Sequence, residues 1–333
     1  MRLSLDLKPQ LPPWARLTHP VLRSVLQRER RRRTPAGRAL AALVGGGMVL
    51  GMLYAGADAY RRGLALGVSS QGESPVFSVL YLLLLFVQLF AQLAALLLAS
   101  SLLAGARQRE SWELVRVTSH GAEMAVWARW AAVFFQLRWV LGMLVVPRLF
   151  FAARMLAGVA DYHGHQLDLA IMGITPGVSI GAAIGLLAAL MAAALLQPVV
   201  SVALNAAAGL LLAVVFGSGR LFQVARTVAV VVQVGVFGVA LSSGWVVLNS
   251  DPLSPAHASM SMGERWSSLF LLAVGGDQSL RFMNLQTTLR AWADVEYGVL
   301  LGAAILAVVV VEALLAGGVV GWAARRAGRP VRA

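Results

Sequence analysis

Long apolar runs alternate with short polar stretches along nearly the whole chain. Five runs reach the roughly 20 mostly apolar residues that a helix needs to cross a hydrocarbon core. They are about 36–57, 76–104, 174–196, 225–248 and 297–322. A sixth lies within 126–157, where Arg138, Arg148 and Arg154 interrupt it. A further apolar piece, 199–217, follows Gln197 and Pro198. Proline removes a backbone donor and crowds the preceding turn, so the pattern predicts a break at Pro198, with 174–196 crossing and 199–217 interfacial or re-entrant. The expected fold is all-α: a polytopic membrane protein with six transmembrane helices.

Composition agrees with that class. Of 333 residues, 59% are hydrophobic and 13% charged, against the roughly 25% charged of an ordinary soluble domain. The net charge of +13 points either to nucleic acid or to an anionic membrane surface, and its distribution favours the membrane. Ten basic residues lie in the first 38 positions and four in the last eleven, both flanking apolar runs. With six spans and both termini inside, the cytoplasmic segments 1–38, 105–125, the short turn 218–226 and 323–333 hold 19 basic residues and the outer loops 5, as the positive-inside rule requires. Seven spans would place one basic terminus outside.

Residues 1–35 form a basic N-terminal segment. In "HPVLRSVLQRERRRR", Val21, Leu22, Val25 and Leu26 recur at helical spacing among arginines, which predicts an amphipathic helix in the inner interface. Thr34 and Pro35 then suit the cap and first position of the first span. The basic head and the following apolar run read as an uncleaved anchor rather than a secretory signal. The domain 36–322 carries the spans, and 323–333 is a basic cytoplasmic tail. The outer loops are 58–75, 158–170 and the long 249–295, which contains the apolar "RWSSLFLLAVGG".

Candidate chemistry is sparse. No cysteine is present, which excludes disulfides, thiolate catalysis and cysteine metal sites. There is no GxSxG, no HExxH and no phosphate-cradling GxxxxGK[ST], so the chain has no Walker-type ATP site of its own. "DYHGHQLD" puts Asp161, His163, His165 and Asp168 in an expected short outer loop, but two histidines two residues apart with nothing to fix them do not make a metal centre, and no metal or cofactor is expected. Charges inside the spans carry more information, because one at midplane costs roughly 2.5–3.5 kcal/mol on insertion scales. Arg138, Arg148 and Glu312 are the intramembrane polar candidates, as a pathway, a buried pair or an interhelical brace.

The segment between the second and third spans, "ARQRESWELVRVTSHGAEM", is too charged and too short to cross. On a helix, Arg109, Glu113, Arg116 and His120 share one face, while Trp112, Leu114, Val115 and Val117 fill the rest. An i, i+4 charge pair contributes only about 0.2–0.5 kcal/mol, so burial of the tryptophan and the aliphatic face must hold such a helix. "TSHG" ends it, and Glu123 suits the start of the next.

This order of parts resembles the membrane subunit of an ATP-binding-cassette (ABC) exporter of the type-2 permease class. The resemblance rests on Arg109, Glu110, Glu113, Leu114, Thr118 and Glu123, and on the Pro-hydrophobic-arginine opening at 19–33. Ser111 and Trp112 stand where the family usually has Gly-Thr, and Ser119 where it has proline. The resemblance implies a separate cytoplasmic ATPase subunit that supplies the missing P-loop, and a cytoplasmic helix that couples it to the spans. Arg109, Glu110, Glu113 and Arg116 would contact that ATPase, with Trp112 and Leu114 seating the helix on the membrane domain. It also implies a second permease, as a homo- or heterodimer, a prokaryotic inner-membrane location, and no catalytic residue on this chain. A structural or assembly subunit with a permease-like plan, and a secondary carrier, are alternative readings of the same pattern.

Overall fold

The computed structural model describes residues 75–108, 121–171, 180–217, 219–249 and 301–328, with Pro12, Arg23, Gly46, Gly47, Leu50, Tyr54, Trp112, Ser267, Phe270 and 273–275. All regular structure among them is helical: α1 Pro75–Arg107, α2 Gly121–Ile171, α3 Ile180–Phe216, α4 Arg220–Asn249 and α5 Leu301–Ala327. Each contains a stretch long and apolar enough to cross a bilayer, namely Leu82–Arg107, Gly121–Leu149, Ala188–Phe216, Arg220–Ser242 and Gly302–Ala327. The chain is therefore a multi-pass membrane protein. Most of the expected amphipathic segment 1–35, of the expected first span 36–57, and of 109–120 and 249–295 lies outside the described residues.

The helix directions follow from side chains that reach between helices. Arg107 at the end of α1 meets Ala213 and Val214 at the end of α3, so these two run parallel. Trp130 reaches Ala203 and Arg148 reaches Ala194, so α2 runs against α3. Gln233 meets Gln92 and Phe237 lies beside Phe86, so α4 runs against α1. One end of the bundle thus gathers the α1–α2 connection, the α3–α4 turn, and with them Arg107, Arg129, Arg220 and Arg226.

Helix α3 is the centre, packed on α5, α1 and α2. It is apolar all round, as a buried helix should be, and 56% of its crossing is buried against 6% for α4. Lipid tails remove the hydrophobic drive between helices, so close backbone approach between small residues must replace it. Ala91, Ala95 and Ala99 of α1 and Ala203, Ala206, Ala207 and Ala213 of α3 are all buried. Gly209 is the tightest point of this packing: a Cβ there would run into the Leu96 carbonyl oxygen and lie 3.1 Å from the Ala99 methyl.

Three sequence expectations are corrected. The break at Pro198 is absent, because α3 continues unbroken from Ile180 to Phe216. The loop expected at 158–170 is helix, since α2 runs 51 residues to Ile171, about 77 Å at 1.5 Å per residue. The hydrocarbon core is only roughly 30 Å thick, so the polar residues after 160 mark where apolar character ends rather than where the helix does. The turn expected over 218–226 is shorter. Gly217, at φ 69°, closes α3 by donating to Ala213 O at 3.2 Å, and α4 starts at Arg220. The positive φ is cheap only for glycine, which explains its place at this helix end.

Candidate functional site

Polar side chains in the apolar bundle form a layer around α3, and Pro198 organises it. In an unbroken helix, the amide at position 198 would donate to the carbonyl of Ala194, but proline has no N–H to give. Arg148 of α2 supplies the donor instead. Its Nη1 donates to Ala194 O at 2.6 Å, and its Nη2 donates to Gln88 Oε1 on α1. The side chain is only 2% exposed, and one guanidinium thereby ties α1, α2 and α3 together. Its planar fork can reach two acceptors on different helices, which a lysine ammonium cannot do in the same geometry.

The other flank of Pro198 faces α5. Gln197 Nε2 donates to Glu312 Oε2 at 3.2 Å, placing the carboxylate one turn from the Arg148 contact along α3. Gln197 is 7% exposed, and its Oε1 is buried without a hydrogen-bond partner. Beyond the proline, Ser201 Oγ donates to Pro198 O at 3.3 Å and Asn205 Nδ2 to Ser201 O at 2.9 Å. Side chains that bond back onto their own helix in this way favour bending. Further along the bundle, Gln233 Nε2 donates to Gln92 Oε1 at 2.9 Å, a polar tie from the thinly packed α4 to α1. The layer holds helices together and orients a buried cation and a carboxylate. Among the described residues no three histidines, aspartates or glutamates gather as metal ligands.

A second constellation sits at the α1–α2 end. Trp112 is 5% exposed and belongs to the apolar core, with the Arg129 guanidinium 5.4 Å from its ring centroid. Arg129 Nη1 also donates to Ala125 O at 2.7 Å. Nearby, Arg107 Nη1 donates to Ala213 O at 2.9 Å and Val214 O at 3.0 Å, satisfying carbonyls at the C-terminus of α3 and placing positive charge at its negative pole. Trp130 stacks edge-on with Trp127 and Phe134 at 5.7 and 5.0 Å and donates from Nε1 to Ala203 O at 3.2 Å.

The intramembrane candidates therefore separate. Arg148 is buried at a three-helix junction and Glu312 is half-buried against Gln197, whereas Arg138 is exposed, 5.7 Å from the ring of the exposed Trp139. Trp112 is seated in the core, while Arg109, Glu110, Glu113, Leu114 and Arg116 lie outside the described residues. A search for charges alone misses Gln88, Gln92, Gln197 and Gln233. Their signal was in the sequence: four glutamines stand inside apolar runs, where an unpaired amide is costly. Comparison with protein-family models, with curated proteins and with solved structures finds no significant match.

Proposed function

We propose that the chain is the permease subunit of an ATP-driven ABC exporter, coupling ATP hydrolysis on a separate cytoplasmic ATPase to movement of a substrate across the membrane. The observation that carries this reading is the seating of Trp112. A buried tryptophan with Arg129 over its ring anchors the charged segment between two crossings, and in this reading the charged residues of that segment meet a partner. Arg109, Glu110, Glu113 and Arg116 are the contact residues in this reading, with Leu114 beside Trp112 as the seat. The permease-like sequence of 109–123 and the lack of a P-loop on this chain give that partner its chemistry.

The same reading takes a sixth crossing at about 36–57, with the basic segment 1–35 lying along the inner surface and both termini cytoplasmic. The bundle end that collects Arg107, Arg129, Arg220 and Arg226 faces the cytoplasm, following the positive-inside rule. Two permeases, identical or related, pair around the pathway in a prokaryotic inner membrane, and the chain itself catalyses no reaction.

The test is purification from the native membrane. A Walker-motif ATPase that co-purifies with the wild-type chain, and is lost when Glu110 and Glu113 are both changed to lysine, supports the proposal. A native complex made only of other membrane chains sinks it and favours a structural or assembly role.

A further inference from the structure

The two halves of α3 on either side of Pro198 are held in different ways. The half from 199 to Phe216 is gripped closely. Ala203, Ala206, Ala207 and Ala213 are buried, Gly209 touches the α1 backbone, Trp130 donates to Ala203 O, and Arg107 donates to the carbonyls of Ala213 and Val214. Toward the other end, Leu190, Ala193 and Ala194 are buried, while Gly185 and Ala188 are exposed. Next to the proline, that half is also tied by polar contacts: Arg148 on Ala194 O from α2, and the Gln197–Glu312 bond from α5.

Helices kink at proline, where the ladder loses a bond and the ring pushes on the preceding turn. Ser201 and Asn205 add back-bonded side chains on the next two turns, a further bending influence. A chain that needed only a straight helix here would carry an ordinary residue at 198 and no buried cation beside it. This one carries a bond-breaking residue and, on a different helix, the donor that replaces the lost bond.

We propose that Pro198 is a hinge in α3 and Arg148 its latch. While Arg148 bridges Gln88 and Ala194 O, the half from Ile180 to Gln197 stays in line with the anchored half. When the bridge opens, that half swings about Pro198 while the anchored half stays fixed on α1. The Gln197–Glu312 bond is the second, weaker restraint, an amide on a carboxylate at 3.2 Å. The device does not depend on the permease reading, since it follows from α3 and its neighbours alone.

The chain has no cysteine, so pairs of spin labels can be placed at will in the full-length protein reconstituted in lipid nanodiscs. Leu83→Cys with Ala188→Cys reports the arm beyond the hinge, and Gly105→Cys with Phe216→Cys reports the anchored half; all four positions are exposed. With Arg148→Gln, the first pair should gain a population displaced by about 5 Å, the travel of a roughly 15 Å arm turned through about 20°. The second pair should not change. Adding Pro198→Ala restores an amide for Ala194 O, so the double variant Arg148→Gln/Pro198→Ala should return the first pair to a single distance. Should Arg148→Gln fail to fold, wild type is compared with Pro198→Ala on warming, and only wild type should broaden at the first pair. The latch is overturned by an unchanged first pair in Arg148→Gln, by equal displacement of both pairs, by a double variant as broad as Arg148→Gln, or by equal broadening of wild type and Pro198→Ala on warming.

Discussion

Arg148 Nη1 lies 2.6 Å from the carbonyl oxygen of Ala194, the acceptor that Pro198, four residues later, leaves without its helical donor. A side chain from α2 thus replaces a backbone bond of α3, and a second bond to Gln88 brings in α1. The geometry explains how a proline and an arginine, each unfavourable alone in a membrane helix, occur in adjacent helices at matched positions. It also makes the bundle sensitive to the shape of that side chain and not only to its charge.

Arg148→Lys should therefore destabilise the protein although it conserves charge. One ammonium cannot serve Ala194 O and Gln88 together, and the loss of a charge-assisted hydrogen bond in a buried site costs about 1–3 kcal/mol. Unfolding in mixed micelles of increasing SDS fraction measures it. An Arg148→Lys variant as stable as wild type would mean that the bridge contributes nothing.

Gly209→Ala should loosen the junction of α1 and α3, because the added methyl meets the Leu96 carbonyl and the Ala99 methyl. Overpacking of this kind costs about 1–3 kcal/mol. Gly142→Ala and Gly235→Ala, where nothing stands within 4 Å of the new Cβ, should leave the thermal transition within error. Equal effects at all three sites would mean that helix propensity, and not the close approach, decides.

Helix α4 depends on few contacts, and the Gln92–Gln233 bond is one of them. A double-mutant cycle with Gln92→Leu and Gln233→Leu should give a coupling of about 0.6 kcal/mol and no more than about 1.7, the range for interhelical hydrogen bonds in membranes. Zero coupling would show that the two amides do not meet.

Trp112→Ala should cost about 3 kcal/mol or more, since a large buried ring is removed from beneath Arg129. Thermal unfolding in detergent checks this, and proteolysis of the 108–120 segment should accelerate alongside. An unaltered melting curve with unaltered cleavage would place the tryptophan outside the core.

The crossings within 75–327 were readable from hydropathy because an apolar run of about 20 residues has few other uses. Their ends were less readable. Hydropathy reports where lipid stops, and α2 continues as helix well past that point, through Asp161 and His165 to Ile171. Pro198 was misread for a different reason: its effect on α3 is decided by Arg148, fifty residues earlier on another helix, and no local rule can see that compensation. Arg148 and Glu312 were identifiable as costly intramembrane groups. Their partners Gln88 and Gln197 were not, because an amide inside an apolar run shows that some partner is needed without saying which.

The most direct test of the proposed function uses a single position. Glu113 is replaced by photo-reactive benzoylphenylalanine, and the chain is irradiated in its native membrane, with the same replacement at the exposed Trp139 as control. The proposal predicts a crosslink from position 113, and none from 139, to a cytoplasmic chain carrying a Walker motif. Crosslinks from position 113 only to other membrane chains, or to lipid, would contradict it.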